Sequence, residues 1–306
     1  MKKRLVFANK DVPESVVLML KERHYQVKQG KNIGREGKGA DGIVCLLTDT
    51  IDKKVMDAVG PQLKIISNMA SGTDNIDAKE AKKRKIQIAN TPGVLVEVVA
   101  EHTVALLLAL SRRVVQGDSF VRKGQYKGWR PDLFLGTELK GKTLGIVGHG
   151  RIGCRTATIL QKGFSMKVLY YDIQGPSIHK VCGATKSSFK ELLKKADAVS
   201  LHVPLLASTC HLIGMQELTV MKKTAYLINT SRGAVIDEKV LVQALRNEEI
   251  AGAGLDVFEH EPKLSPGLVK LNNVVLTPHI ASASKEVRDA MAELAARNII
   301  EVLDNL

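Results

Sequence analysis

The amino-acid sequence predicts an α/β protein with two doubly wound parallel-sheet domains, one inserted in the other. Short apolar runs alternate with segments of helical composition before Thr91, and the same alternation resumes after Gly141. Such alternation is typical of parallel sheets with helices on their faces. A last helical segment follows the second set of strands and leaves too little chain for a third domain. We therefore expect this segment to return to the first domain, which makes that domain discontinuous.

The first domain is predicted to be flavodoxin-like. Its strands are predicted at RLVFAN (4–9), GIVCLL (42–47), LKIISN (63–68) and IQIAN (86–90). Helices are predicted between them at residues 12–24 and about 51–59, and Pro13 suits the first turn of the former. Together these elements predict a small parallel sheet covered by helices.

The connection between the two domains departs from this alternation. After a turn at Thr91-Pro92-Gly93, one long helix is predicted from about Glu97 to Arg122. It is richer in leucine and valine than a solvent-facing helix, so we expect it to pack against another domain or another subunit. The irregular segment that follows holds Trp129, the only tryptophan.

The second domain is predicted to be a larger parallel sheet. Its strands are predicted at TLGIVG (143–148), KVLYYD (167–172), AVSLHV (198–203), AYLINT (225–230), GAGLDV (252–257) and NVVLTP (273–278). The predicted boundaries are 1–98 with 285–306 for the first domain and 99–284 for the inserted one. Ligands of such sheets bind beyond the carboxyl ends of the strands, and domain interfaces favour pockets, so an active site is expected in the cleft between the domains.

The segment LGIVGHGRIG (144–153) carries a dinucleotide fingerprint. Gly148, Gly150 and Gly153 follow an apolar strand and open a helix, which is the setting that the G-x-G-x-x-G pattern requires. Asp172, at the end of the next strand, is placed to accept hydrogen bonds from a ribose and to repel a 2′-phosphate. The motif predicts a Rossmann domain that binds NAD. NAD is favoured over NADP because the residues after Asp172 supply no arginine, being Ile173, Gln174 and Gly175.

Composition limits the possible partners. Lysine and arginine number 45 against 32 acidic residues, a net charge of +13, yet only 4% of residues are aromatic, so no stacking platform for nucleic acid is expected. The basic run KEAKKRK (79–85) is interpreted as a solvated helix face. The apolar run after the N-terminal MKKR is too short for a signal peptide, and VALLLAL (104–110) is too short to span a membrane. We expect a cytoplasmic protein without nucleic-acid or membrane partners and without a metal site.

Three charged or titratable residues follow strand ends in the second domain. They are Arg232, Glu261 and His279, and loops at the carboxyl ends of parallel strands converge on one edge, so the three can meet. Reduction of a 2-keto acid needs a cation for the carboxylate, which the planar guanidinium of arginine suits. It also needs a proton donor for the carbonyl oxygen, and histidine exchanges protons near neutral pH. A glutamate bonded to the imidazole would orient it and keep it protonated.

The chain resembles the D-isomer-specific 2-hydroxyacid dehydrogenase family over nearly its whole length. The resemblance lies in SGTDNID (71–77), GVLVEVVAEHTVALLLALSRR (93–113), GKTLGIVGHGRIG (141–153), LHVPLLAST (201–209), LINTSRGAVID (227–237), GLDVFEHEP (254–262) and TPHIASAS (277–284). It implies that Arg232 binds and polarises the substrate, that His279 is the acid/base and that Glu261 pairs with His279. It also implies a homodimer built around the nucleotide-binding domains.

The resemblance assigns further residues to the site. Substrate-binding positions match Leu47, Ser71, Gly72, Trp129 and Arg232, and in the family the backbone amides at the positions of Ser71 and Gly72 hold the substrate carboxylate. Cofactor-binding positions match Thr103, Gly148, Gly150, Arg151, Ile152, Gly153, Asp172, His202, Val203, Pro204, Thr209, Thr230, Ser231, Arg232, Asp256, His279 and Ser282.

Within the family, the GWRPDLFLG segment (128–136) is similar to that of glyoxylate and hydroxypyruvate reductases. The predicted function is NADH-dependent reduction of a small 2-keto acid to the D-2-hydroxy acid. Glu261 argues against formate as the substrate, since formate dehydrogenases carry glutamine at that position. D-3-phosphoglycerate dehydrogenase is the alternative enzyme. An NADH-sensing, corepressor-like binding protein is the alternative from another class.

Overall fold

The computed structural model describes residues 3–174 and 183–305. Two compact units are present, one formed by Met1–Leu95 with Ala283–Leu306 and the other by Val96–Ser282. Each unit is built on one parallel sheet. The observed boundaries between the units fall after residues 95 and 282. The sequence predicts them after residues 98 and 284.

The first unit has a five-stranded parallel sheet in the order β2-β1-β3-β4-β5. Its elements before residue 96 are β1 (Leu5–Asn9), α1 (Glu14–Glu22), β2 (Gln26–Gly30), α2 (Ile33–Glu36), β3 (Gly42–Cys45), α3 (Lys53–Val59), β4 (Ile65–Asn68), α4 (Ala78–Lys83) and β5 (Gln87–Ala89). Phe7, Ile43 and Ile66 are fully buried in its core, as expected for strands covered on both faces. The sequence pattern misses β2, because this edge strand reads QVKQG and is mostly exposed.

The second unit has a seven-stranded parallel sheet in the order β12-β11-β10-β9-β6-β7-β8. Its elements are α5 (Val96–Ser111), α6 (Val114–Arg122), β6 (Thr143–Val147), α7 (Arg151–Phe164), β7 (Lys167–Tyr171), β8 (Thr185–Lys186), α8 (Phe189–Lys195), β9 (Ala198–Leu201), α9 (Met215–Val220), β10 (Tyr226–Asn229), α10 (Glu238–Arg246), β11 (Gly252–Leu255) and β12 (Val274–Leu276), with 3₁₀ turns at Gly233–Val235 and Leu268–Lys270. Each predicted strand is present. The additional β8 is a two-residue, exposed edge strand without an apolar pattern.

The single long helix predicted from Glu97 to Arg122 is wrong. The chain forms two helices there, because Arg113 adopts a left-handed conformation (φ 52°) and the Ser111 carbonyl accepts a hydrogen bond from the Thr137 amide at 2.7 Å. The first helix, α5, is largely buried and packs on α7, β10 and β11 of its own unit. The second helix, α6, has no buried residue.

The last helix, α11 (Lys285–Asp304), belongs to the first unit. Ser284 caps its start through a hydrogen bond from the Val287 amide. It packs on α1, β3 and β4, and the Ser67 hydroxyl donates to the Ala295 carbonyl at 2.9 Å. None of the helices in the described part of the chain is long and apolar enough to cross a membrane.

Candidate active site

The loop after β6 places its three glycines in different environments. Gly148 has a φ of +90°, which favours glycine, and a Cβ there would lie 2.8 Å from the His202 carbonyl carbon. A Cβ on Gly153 would overlap the Gly148 carbonyl oxygen, so any larger residue would push α7 away from β6. A Cβ on Gly150 would meet nothing within 4 Å. The open space at Gly150 and the N-terminus of α7 together fit a pyrophosphate.

Asp172 lies directly after β7, beside this loop. Its carboxyl oxygens accept the backbone N–H groups of His149 and Gln174, each at 2.8 Å. A carboxylate has about four acceptor positions, so two remain for ribose hydroxyls. Ile173 and Gln174 follow it, and Gly175 lies outside the described residues. The charge and acceptors at Asp172 fit NAD.

Other residues assigned to the cofactor lie on α5 and at the carboxyl ends of the strands. The hydroxyl groups of Thr103 and Thr230 are 2.9 Å apart. The Thr209 hydroxyl donates to the Pro204 carbonyl at 2.6 Å and accepts the Leu206 amide at 2.8 Å, so it shapes the loop after β9. The others lie in the first turn of α7 (Arg151, Ile152), in the loop after β9 (His202, Val203), after β10 (Ser231) and at the end of the unit (Ser282). Their contact with a cofactor stays a prediction.

His202 packs between the glycine loop and the end of β9. Its Nε2 atom lies 2.9 Å from the Ser200 hydroxyl, and its backbone N–H donates to the Val147 carbonyl at 2.8 Å. Although one edge of the side chain reaches the surface, burial, with a smaller contribution from His149, lowers the pKa of His202 to about 3. The imidazole is therefore neutral at neutral pH and brings no positive charge to the cofactor phosphates.

Glu261 and His279 form a hydrogen-bonded pair beyond β11 and β12. Glu261 Oε2 lies 2.9 Å from His279 Nδ1, and Glu261 Oε1 accepts the Phe258 backbone N–H at 3.0 Å. Burial opposes ionisation of Glu261, but the hydrogen bonds from His279 and Phe258 and the charges of His279 and Arg232 outweigh it and lower the pKa of this carboxyl. The hydrogen bond links two of the residues predicted to carry the chemistry, and the charge of the third, Arg232, acts on the same carboxyl group.

The backbone of His279 is held in an uncommon conformation. Its φ is +54°, in the left-handed region that few residues other than glycine adopt. Asp256, which is fully buried, accepts the His279 amide through its carbonyl at 2.8 Å and the Ile280 and Ala281 amides through its side chain at 2.9 and 2.8 Å. The resemblance assigns Asp256 to the cofactor, and the structure shows that it also shapes the loop of His279.

Two polar neighbours complete the surroundings of Asp256. The Thr277 hydroxyl donates to its Oδ1 at 2.6 Å, and His102 Nε2 lies 3.0 Å from that hydroxyl. Burial opposes ionisation of Asp256, but hydrogen bonds from His102, from Thr277 and from the loop amides lower the pKa of this carboxyl. His102, which is not among the residues predicted for the site, therefore supports the loop of His279 from α5.

The turn that carries Arg232 depends on Asn229, which is not among the residues predicted for the site. Asn229 is fully buried, donates to the Arg232 carbonyl at 2.8 Å and accepts the Ser231 amide at 3.0 Å and the Ser231 hydroxyl at 2.8 Å. An asparagine as the last residue of a strand, just before a Ser-Arg-Gly turn, is the signal that points to it, since asparagine side chains commonly hydrogen-bond to turn backbone.

The substrate-binding residues assigned in the first unit follow β3 and β4. The carbonyl groups of Ser71 and Gly72 accept hydrogen bonds from Asn90 and Asn68, at 2.6 and 2.8 Å. Within the described chain, no protein acceptor takes the backbone N–H groups of Ser71 and Gly72. Leu47 is partly exposed. Trp129 belongs to the second unit, where its side chain is 80% exposed.

A separate groove of about 740 Å³ lies at the amino ends of β6 and β7. Lys167, Lys194, Lys195 and Lys222 line it. It is at the edge of the sheet opposite the glycine loop, so it is not the candidate active site.

Comparison with known proteins places these observations in a family. Residues 104–281 match the family model of the D-isomer specific 2-hydroxyacid dehydrogenase, NAD binding domain. The glyoxylate reductase of Thermococcus litoralis is 49% identical over 96% of this chain and 92% of that protein. An NADPH-dependent glyoxylate/hydroxypyruvate reductase from Sinorhizobium meliloti, solved with NADP and malonate, has a TM-score of 0.89 and 32% identity over 97% of this chain and 93% of that chain. D-lactate dehydrogenase from Aquifex aeolicus, solved with NAD and lactic acid, has a TM-score of 0.87 and 31% identity over 99% and 96%.

The low pKa of His202 predicts a loss of stability in acid. The pKa of His202 is about 6.5 in the unfolded chain and about 3 in the folded chain. Below pH 6.5 the unfolded chain therefore binds a proton that the folded chain does not, and the free energy of unfolding falls as the pH drops. His202→Gln removes this effect. Urea unfolding measures how much the free energy of unfolding drops from pH 7 to pH 4. This drop should be about 2 kcal/mol smaller in the variant than in the wild type, a value that takes into account the solvent exposure of one edge of the ring. An equal loss in both proteins would contradict the prediction.

Proposed function

We propose that this chain, which belongs to the D-isomer-specific 2-hydroxyacid dehydrogenase family, uses NADH to reduce small 2-keto acids of the glyoxylate and hydroxypyruvate type. The observation that carries the reaction is the 2.9 Å pair of His279 and Glu261, with the charge of Arg232 acting on the same carboxyl. The glyoxylate reductase at 49% identity over nearly the full chain supports the substrate class.

Arg232, His279 and Glu261 have complementary roles in this reaction. Bound NADH supplies the hydride to the keto carbon. Arg232 binds the substrate carboxylate and polarises the carbonyl group, since a guanidinium pairs well with planar oxygen pairs. Protonated His279 donates its Nε2 proton to the carbonyl oxygen as negative charge develops there. Glu261 stabilises the imidazolium and fixes the ring through Nδ1. The product is the D-hydroxy acid when the carbon becomes chiral.

The first unit contributes to substrate binding in this proposal. The backbone N–H groups of Ser71 and Gly72 bind the substrate carboxylate, and Asn90 and Asn68 hold this loop in place by donating to the carbonyl groups of the same two residues. Leu47 and Trp129 shape the space around the substrate side chain. Their assignment rests on the family resemblance.

The chain works as a cytoplasmic homodimer in this proposal. Exposed apolar residues of the second unit support the dimer, and they are Val114, Val115, Val121, Tyr126 and Leu135, each between 48% and 68% exposed. Exposed apolar patches of this kind mark interaction sites.

Steady-state oxidation of NADH with a panel of keto acids tests the proposed reaction. Glyoxylate and hydroxypyruvate should give kcat/KM of roughly 10⁴ M⁻¹s⁻¹ or more, and His279→Ala should lower kcat about 100-fold or more while the Kd for NADH changes little. His24→Asn, at an exposed histidine of the first unit, is the control. NADH binding without reduction of any acid would indicate a cofactor-sensing protein, and preference for 3-phosphohydroxypyruvate would indicate a phosphoglycerate dehydrogenase.

Replacement of Asp172 tests the preference for NADH. Asp172→Asn keeps an oxygen for the His149 amide, gives up the acceptor for the Gln174 amide, and removes the charge that repels a 2′-phosphate. The ratio of kcat/KM for NADPH to that for NADH should rise about tenfold, which corresponds to about 1.4 kcal/mol. An unchanged ratio would show that Asp172 does not select the cofactor.

Sedimentation equilibrium tests the dimer. The wild-type chain should sediment at twice its mass of 33.3 kDa. Val121→Lys should shift it toward the monomer, because the lysine charge would have to be desolvated in the interface. Leu18→Lys, at a similarly exposed residue of the first unit, should stay dimeric. A monomeric wild type, or equal effects of both variants, would overturn the proposed interface.

A further inference from the structure

The turn that carries Arg232 and the loop that carries Glu261 touch through their backbones. Gly233 packs so closely on Phe258 that a Cβ on the glycine would overlap the Phe258 carbonyl group and the Glu259 amide nitrogen. On the same loop, the Phe258 N–H donates to Glu261 Oε1 at 3.0 Å. The distance between the two charged segments is therefore set where Gly233 meets Phe258.

Two glutamates hold this contact together, because the side-chain carboxylate of each accepts a hydrogen bond from the backbone N–H of the other. Glu238, the first residue of α10, is only 3% exposed and accepts the Glu259 amide at 2.9 Å and the Ser265 amide at 2.6 Å. Glu259 in turn accepts the Glu238 amide at 3.2 Å. The exchange ties the start of α10, just after the Arg232 turn, to both ends of the Glu261 loop. A carboxyl group also suits the N-terminus of a helix.

A histidine from a third segment joins the two glutamates. His211, in the loop between β9 and α9, has its Nε2 atom 2.7 Å from Glu259 Oε1, and its backbone N–H donates to the Ala234 carbonyl at 2.8 Å. Asp237 Oδ2 lies 3.9 Å from His211 Nδ1, and His260 Nε2 lies 3.8 Å from Glu259 Oε1. His211 thus contacts both charged segments. We name Glu238, Glu259 and His211 the carboxyl clasp.

We propose that the carboxyl clasp is a set of positioning residues that fixes Arg232 and Glu261 relative to each other for the reaction. This inference rests on the proposed function, because Arg232 must hold the substrate carboxylate while Glu261 holds the proton donor His279. Both residues lie on loops, which are the more mobile parts of a protein. A misplacement of about 1 Å can lower a rate about 100-fold, so a device that holds the two loops together has a direct effect on catalysis.

Glu238→Gln tests the clasp with little change in shape. Glu238 uses both carboxyl oxygens as acceptors, and glutamine replaces one with an NH₂ donor, which faces a backbone N–H in either orientation. Glu217→Gln is the matched control. Glu217 accepts one backbone N–H, from Gly214 at 3.0 Å at the start of α9, and glutamine keeps an oxygen for that bond.

Kinetics and amide exchange are measured on both variants. In Glu238→Gln, kcat/KM for the keto acid should fall about tenfold or more, while the Kd for NADH stays within about twofold. The acid limb of the kcat/KM profile should move to higher pH, because the contacts with His279, Phe258 and Arg232 that lower the pKa of Glu261 are loosened. Backbone amides in segments 230–236 and 257–265 should exchange faster together. Glu217→Gln should leave all four readouts unchanged.

Each outcome decides one of the claims. Wild-type kinetics, pH profile and amide exchange in Glu238→Gln would overturn the clasp. If that variant does not fold, His211→Gln is measured in the same way, because His211 is less buried. This variant should lower kcat/KM about threefold and shift the pH profile in the same direction. No change in either quantity would overturn the clasp. If the wild-type chain reduces no keto acid, the proposed function fails. The rates of backbone amide exchange in segments 230–236 and 257–265 of Glu238→Gln still show whether the carboxyl clasp holds these segments together.

Discussion

The common direction of the strands in the second unit is the constraint on which the candidate active site depends. In the sheet order β12-β11-β10-β9-β6-β7-β8 every strand is parallel to its neighbours, so every strand ends at the same edge. The glycine loop, the Arg232 turn and the loops of Glu261 and His279 reach that edge from distant parts of the sequence. The strands behind them are apolar, and β9 and β11 are buried along their whole length. The sheet thus provides a rigid base, and the chemistry is confined to loops.

Buried polar side chains then determine the shape of each loop. Asn229 holds the Arg232 turn, Asp256 holds the loop of His279, and Glu238 holds the loop of Glu261. All three are at most 3% exposed. A buried polar group that loses its hydrogen bonds costs about 1–3 kcal/mol, so alternative loop conformations are disfavoured. The residues proposed to act on the substrate are therefore supported by a second set of side chains that hydrogen-bond to the backbone of their loops.

The sequence predicts best those features in which burial or backbone conformation dictates the residue type. The strands of the second sheet are apolar, and Gly148 and Gly153 stand where a side chain would clash, so composition and motif identify them. The edge strands β2 and β8 are exposed and carry no apolar pattern, which is why they are missed. The helix break at Arg113 depends on a tertiary contact between Ser111 and Thr137 that no local pattern reports. Glu238 and Glu259 look like ordinary surface residues in the sequence, because their reciprocal bonding exists only once α10 and the Glu261 loop meet.

In the proposed reaction, hydride passes from NADH to the keto carbon on one face, while His279 donates the proton to the oxygen. The net charge of +13 assists the approach of an anionic substrate but does not decide this chemistry. Reduction of hydroxypyruvate with NADH that carries deuterium at C4 of the nicotinamide is the most direct test. The proposed reaction predicts a hydroxy acid of D configuration with deuterium at C2 when one of the two C4 positions is labelled. A product of L configuration, or one without deuterium whichever C4 position is labelled, would contradict it.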